Sequence, residues 1–175
     1  MHALTAQRTD SPAENPAPFQ LPDHGPALGL LIAGHSGRVG RELLRQLKAR
    51  QSSLTTPVPD IRIAGLINRR EVQWPDSGAT AARTPDDWHA ILRRFRAEPG
   101  FAHLFVDCTA SGELVEQYAE LLQHGIGIVT PNKLAFSGPQ QEYQSLQNLA
   151  RQRRVALGYE TTVGAALPVL AAVAD

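Results

Sequence analysis

The chain carries one cysteine, no surplus charge of either sign and no long apolar run. Each shortage removes a class of protein. A lone Cys108 cannot build an internal disulfide framework, and it suits a reducing compartment. Seventeen basic residues offset seventeen acidic ones, so nothing predicts a basic surface for nucleic acid or an anionic membrane. No stretch approaches the roughly 20 apolar residues of a membrane-spanning helix. The N-terminus lacks the basic-then-apolar layout of a secretion signal. Six histidines are present without metal-ligand spacing. The expectation is a cytoplasmic protein with neither nucleic acid nor membrane as partner.

What is there suits one domain with a tail. The 175 residues are 42 % hydrophobic, enough for a buried core. Residues 1–26 hold Pro12, Pro16, Pro18, Pro22 and Pro26 among small and charged residues, and read as a disordered tail or linker. From Leu28 the pattern alternates. Leu28–Ala33 is a continuous apolar run, as in a strand buried on both faces. Val39, Leu43, Leu44 and Leu47 follow at helical spacing. Ile61–Ile67 predicts a second strand, and residues 71–83 read as irregular. Thr84, Pro85, Asp86 and Asp87 open a helix bearing Trp88, Ile91, Leu92 and Phe95. Leu104–Thr109 predicts a third strand, and Leu114–Leu122 a helix that Gly125 would cap. Ile126–Thr130 is a fourth strand, Pro139 starts another helix, and Val155–Tyr159 is a fifth strand. Strands separated by helices imply parallel pairing and right-handed crossovers. The predicted fold is α/β: a doubly wound, mostly parallel, Rossmann-like nucleotide-binding sheet over residues 27–163.

Gly34, Gly37 and Gly40 stand three apart, after the first strand and at the opening of the first helix. One glycine allows the tight turn, one lets backbone approach a pyrophosphate, and one lets the helix pack on the strand. The turn Gly34, His35, Ser36, Gly37, Arg38 and Val39 would offer helix N-terminal amides to phosphate. Ser36 stands where a second glycine is usual. The second strand ends in Asn68, Arg69 and Arg70 rather than in an acid, while Asp60 precedes that strand at the wrong end of the sheet. Two arginines there can hold a 2′-phosphate, so NADP(H) is preferred over NAD(H). The alternative is that they are solvated loop charges, with Asn68 serving a plain ribose.

Five segments then carry a family resemblance: Gly34–Gly40, Gly65–Arg70, Val106–Ser111, Val129–Ala135 and Tyr159–Pro168. The last two read Thr-Pro-Asn-Lys and Tyr-Glu-Thr-Thr-Val-Gly-Ala-Ala-Leu-Pro. Together they resemble homoserine dehydrogenase, whose members reduce L-aspartate 4-semialdehyde to L-homoserine with NAD(P)H. That reaction lies on the route to threonine, methionine and isoleucine, and in some bacteria the module is fused behind an aspartokinase. The resemblance implies that Lys133 is a catalytic lysine near nicotinamide and substrate. It implies that Asn132 orients its neighbours, and that Cys108, Thr109, Ala110 and Ser111 line the cofactor. It also implies that Glu160, with carbonyls of Val163 and Ala165, holds a monovalent cation such as Na or K. An ammonium suits the proposed task, because hydride delivery to an aldehyde develops negative charge on oxygen.

The residues also have plainer readings. For Lys133 the plainer alternative is a solvated loop charge, and for Glu160 a helix cap. Asp107 is expected to satisfy loop amides rather than to act, and Cys108 to be a small buried strand residue. Ala166 stands where the family has glycine. Residues 164–175 read as the first turns of a helix leading to a second, catalytic and dimerisation domain. By the resemblance, that domain would supply another lysine, the substrate-binding acids and a homodimer interface. The chain alone is therefore expected to bind NADP(H) without a complete substrate site. The competing reading is a non-catalytic NADP(H)-binding relic, or a subunit needing a partner chain. The glycine turn is also similar to that of dihydrodipicolinate reductase, a family without the two later segments.

Overall fold

Leu30, Leu31, Ile32 and Ala33 are all buried, as a strand covered on both faces requires. They belong to β1 (Ala27–Ala33), followed by α1 (Arg38–Gln51), β2 (Ile61–Ile67), β3 (Glu71–Trp74), β4 (Ala79–Ala82) and α2 (Trp88–Arg96). Then come β5 (Phe101–Asp107), α3 (Gly112–Glu116), α4 (Tyr118–Gln123), β6 (Gly127–Val129), a 3-10 turn at Lys133–Phe136, α5 (Gln140–Arg153) and β7 (Leu157–Gly158). The computed structural model describes residues 27–51, 60–84, 87–97 and 100–159. The sheet order is β4-β3-β2-β1-β5-β6-β7. The strands β2, β1, β5, β6 and β7 pair in parallel, while β3 and β4 are antiparallel. This is the predicted doubly wound, mostly parallel α/β sheet.

Helices cover both faces. Leu43, Leu44 and Leu47 of α1 pack over Leu30, Ile32 and Val106. On the other face lie Leu31, Ala33 and Phe105 under Trp88, Ile91, Leu92 and Phe95 of α2, with Leu121, Leu122 and Ala150 of α4 and α5. The β1–β2 register shifts between Leu30 and Leu31, where Leu30 faces Ile63 but Leu31 faces Gly65. This extra residue is a bulge. It lets Ile63 and Leu66, three apart, join the α1 face, while Ala64 and Ile67 join the other.

Three local expectations need correction. Residues 71–83 are not irregular: they form the β3–β4 hairpin, with Val72 facing Ala81 and Gly78 at φ +63 in the turn. Val72 and Trp74 are buried, but β4 is exposed throughout, so no apolar alternation marked it. The helix expected over Leu114–Leu122 is divided at Gln117, whose N–H closes onto Leu114 O at 3.1 Å. Cys108 lies just past β5 rather than inside it, and is half-buried.

The expected cap at Gly125 is present. Gly125 has φ +74, its N–H donates to Leu122 O, and the Ile126 N–H donates to Leu121 O. Gly40 is under a different constraint. A Cβ there would lie 2.3 Å from Gly34 O, so only a bare Cα lets α1 approach the turn. We predict that Gly40→Ala lowers stability by about 2–3 kcal/mol through overpacking. Gly125→Ala should cost about 1 kcal/mol through its backbone conformation alone. Urea unfolding of the two variants measures both.

Candidate functional site

The chain passes from β1 outward to β2 on one side and returns to β5 on the other. Ala33 and Asp107 lie in register at the carboxyl ends of β1 and β5, where doubly wound sheets bind ligands. A cleft of about 430 Å³ opens there. Gly34, at φ +75, begins it, and its N–H is held by Ile67 O at 2.9 Å. A Cβ on Gly34 would stand 2.8 Å from Thr109 Cγ2, so glycine permits both the turn and the close approach of the loop after β5. The first turn of α1 contains no acid, unlike those of α3, α4 and α5, which carry Glu113, Glu120 and Glu142. The positive end of α1 is therefore open to an anion.

The structure brings Gly34, Ser36, Gly37, Asn68, Arg69, Arg70, Cys108, Thr109 and Ser111 together in this cleft, as the sequence suggests. The other candidates do not line it. His35 Nδ1 sits 3.2 Å from Ile67 O, tying the turn to β2. Arg38, Val39 and Ala110 are exposed beside it. Lys133 is exposed on the 3-10 turn after β6, and Asn132 is buried beneath it. Glu160, Val163 and Ala165 lie outside the described residues.

Asn68 forms an Asx turn at the end of β2. Its Oδ1 accepts the N–H groups of Arg70 at 2.7 Å and Glu71 at 3.0 Å. Its side chain is thus committed to shaping the turn that presents Arg69 and Arg70. The next residue, Glu71, accepts from Asn68 Nδ2 and Gln73 Nε2. Two charged cleft residues are absent from the sequence-based candidates: Arg83, after β4, and Glu113, on α3. The Arg83 N–H donates to Arg70 O at 2.7 Å, drawing the hairpin onto the end of β2. The turn residues Pro75 to Gly78 were the available signal for that hairpin.

Asp107 organises the far side of the cleft. It is fully buried. Oδ1 accepts the Thr109 N–H at 2.8 Å and the Thr109 hydroxyl at 2.6 Å. Oδ2 accepts the Tyr118 hydroxyl at 2.7 Å and Asn132 Nδ2 at 3.2 Å. Four donors fill the four lone-pair positions of the carboxylate. Asn132 Nδ2 also reaches Ser111 O at 3.1 Å, and its Oδ1 accepts the Leu134 N–H at 3.1 Å. One carboxylate thereby fixes the cleft loop Thr109–Ser111 and the turn that carries Lys133. Tyr118 is pushed well above its usual pKa, first by burial and then by Asp107. Cys108 is pushed up to about 11 by burial and then by Asp107. It faces the cleft as a neutral thiol, not as a nucleophile.

These features can be set beside known proteins. The family model described as homoserine dehydrogenase, NAD binding domain, matches residues 36–160. The chloroplastic bifunctional aspartokinase/homoserine dehydrogenase 1 of Zea mays is 34 % identical over 150 residues, covering 77 % of this chain and 16 % of that protein. The bifunctional aspartokinase/homoserine dehydrogenase of Haemophilus influenzae is 30 % identical over 143 residues, covering 77 % and 18 %. The chain thus spans less than a fifth of these curated relatives. Among solved structures, a hyperthermophilic archaeal homoserine dehydrogenase in complex with NADPH has the same fold, with TM-score 0.63 at 22 % identity, covering 84 % of this chain and 48 % of that one.

Two outcomes follow from the buried carboxylate. Asp107→Ala removes the acceptor from the Thr109 N–H and hydroxyl, the Tyr118 hydroxyl and one of the two Asn132 Nδ2 bonds, and should destabilise the domain by about 3 kcal/mol or more; urea unfolding reads this. For Cys108, a pKa raised on folding means that its contribution to stability is complete below about pH 9 and is lost as pH rises through about 11. Alkylation of Cys108 by iodoacetamide at pH 8 should be more than about tenfold slower than that of an unstructured cysteine. Its rate should climb toward a midpoint near 11.

Proposed function

Since the chain belongs to the homoserine dehydrogenase family through that family's NAD-binding domain, we propose that it holds NADP(H) in the β1–β5 cleft for the reduction of L-aspartate 4-semialdehyde to L-homoserine. The observation that carries this reading is the pairing of two features in one cleft. At one end is a helix N-terminus bare of acids. At the other, Arg69 and Arg70 are presented by the Asn68 turn, while Glu71 is engaged elsewhere. A pyrophosphate suits the unpaired amides that open α1, with the Ser36 hydroxyl as a further donor. A 2′-phosphate suits the two guanidiniums, which bind phosphate in forked geometry.

The bound cofactor supplies the hydride. The chain's own residues do the rest. Thr109 and Ser111 line the nicotinamide side, on a loop that Asp107 holds through Thr109. Asn132 sets the backbone of the turn through Leu134, and so directs Lys133 outward from the end of β6. The Lys133 ammonium stabilises the negative charge that develops on the aldehyde oxygen and gives it a proton. Glu160, with the carbonyls of Val163 and Ala165, is proposed to hold a monovalent cation, hard oxygen donors being suited to such ions. Groups that bind the amino-acid end of the substrate, and the surface of a homodimer, are proposed to lie outside residues 27–159.

Calorimetric titration of the 175-residue chain tests the cofactor assignment. NADPH should bind at least about tenfold more tightly than NADH, and a combined Arg69→Ala, Arg70→Ala variant should lose that preference. Equal affinities would reject the 2′-phosphate assignment. Absence of binding by either nucleotide would reject the cofactor role.

A further inference from the structure

The Arg83 guanidinium is buried yet weakly paired. Its side chain is 8 % exposed, against 55 % for Glu113. Nη2 lies 3.3 Å from Glu113 Oε1, and Nη1 donates to Asn68 O at 3.5 Å. Nε is buried with no partner among the described residues. Charge-assisted bonds from arginine to a carboxylate close to about 2.7–2.9 Å, commonly as parallel pairs. Neither contact does so. A guanidinium offers five donors in a rigid fork, and a buried charge is costly while those donors are unmet.

The surroundings point to a larger anion than Glu113. Arg69 and Arg70 line the same cleft, and the Arg83 N–H is bonded to the Arg70 carbonyl. Three arginines therefore line one cleft, from the end of β2 and the end of β4. Among the described residues Glu113 reaches only Arg83, from α3 on the opposite wall. A phosphate ester, with three outward oxygens and close to two charges, can meet several donors at once. A single carboxylate at 3.3 Å meets one.

We infer that Glu113 is an internal stand-in for the cofactor's 2′-phosphate: it pairs with Arg83 and is displaced when that phosphate binds. The inference rests on the NADP(H) reading above. Glu113 is then a specificity-determining residue that acts through competition. Its charge opposes the phosphorylated cofactor, while the unphosphorylated cofactor leaves the Arg83–Glu113 pair intact.

Glu113→Gln tests this at an exposed position, keeping shape and removing charge. Affinities of the full chain for NADPH, NADH, 2′-AMP and 5′-AMP are measured by calorimetry. The variant should bind NADPH and 2′-AMP about threefold or more tightly than the unmodified chain, with NADH and 5′-AMP changed less than twofold. Arg83→Gln should weaken NADPH and 2′-AMP by at least about tenfold and leave the other two within twofold. If Arg83→Gln fails to fold by circular dichroism, the Glu113→Gln result decides alone. Unchanged or weaker NADPH binding by Glu113→Gln would overturn the stand-in role, as would an equal gain for NADH. If the unmodified chain binds neither NADPH nor 2′-AMP, the NADP(H) reading fails first and the inference with it. Binding by the unmodified chain with no response to Glu113→Gln removes the inference alone.

Discussion

A carboxylate buried to zero exposure at the end of β5 constrains everything around the cleft. Removing an ion from water costs several kcal/mol unless its hydrogen bonds are replaced. Asp107 gathers those replacements from three separate segments: the loop directly after it, α4 and the turn after β6. Each segment is thereby placed relative to the same two oxygens. The backbone takes part as well, since the Thr130 hydroxyl donates to the Asp107 carbonyl at 3.1 Å. The main consequence is geometric. The loop after β5 and the turn bearing Lys133 come from different crossovers, yet they share one anchor.

The opposite wall is built by exclusion rather than attraction. Gly34 and Gly40 have no side chains to hold α1 away from the turn, and the distances that a Cβ would meet at both positions leave no room for one. The bulge in β2 rotates that strand's later residues, so that Ile67 enters the α2 face at the position where its carbonyl receives the Gly34 N–H. Close packing on one side and a saturated ion on the other leave a cleft whose walls have few alternative arrangements.

The features legible in the sequence were those that leave a local mark. The glycine spacing, the doubly buried run at Leu30–Ala33 and the Gly125 cap are each set by neighbours within a few residues. Asp107 was expected to satisfy loop amides, and it does accept the Thr109 N–H. Its bonds to Tyr118 and Asn132 join residues 11 and 25 positions away and leave no periodic trace. The β3–β4 hairpin was missed because β4 consists of small and polar residues that face solvent on both sides. Missing the hairpin meant missing Arg83, whose role arises from where β4 ends. The expected cation ligands, the tail expected over residues 1–26 and the helix expected over 164–175 fall outside the described residues.

The sheet also carries an order of assembly. The pairing of β3 with β4 closes a loop of only a few residues, an event of about 1–10 µs for an isolated hairpin. The pairing of β1 with β5 joins positions about seventy residues apart, and such distant contacts dominate slow folding. The cleft lies on that second seam. The Arg83 wall can form while the chain is still largely open, but the Asp107 wall exists only after β5 has docked on β1. A nucleotide that needs both walls therefore reports on the completed sheet, and its retention distinguishes chains that have finished folding from those that have only begun.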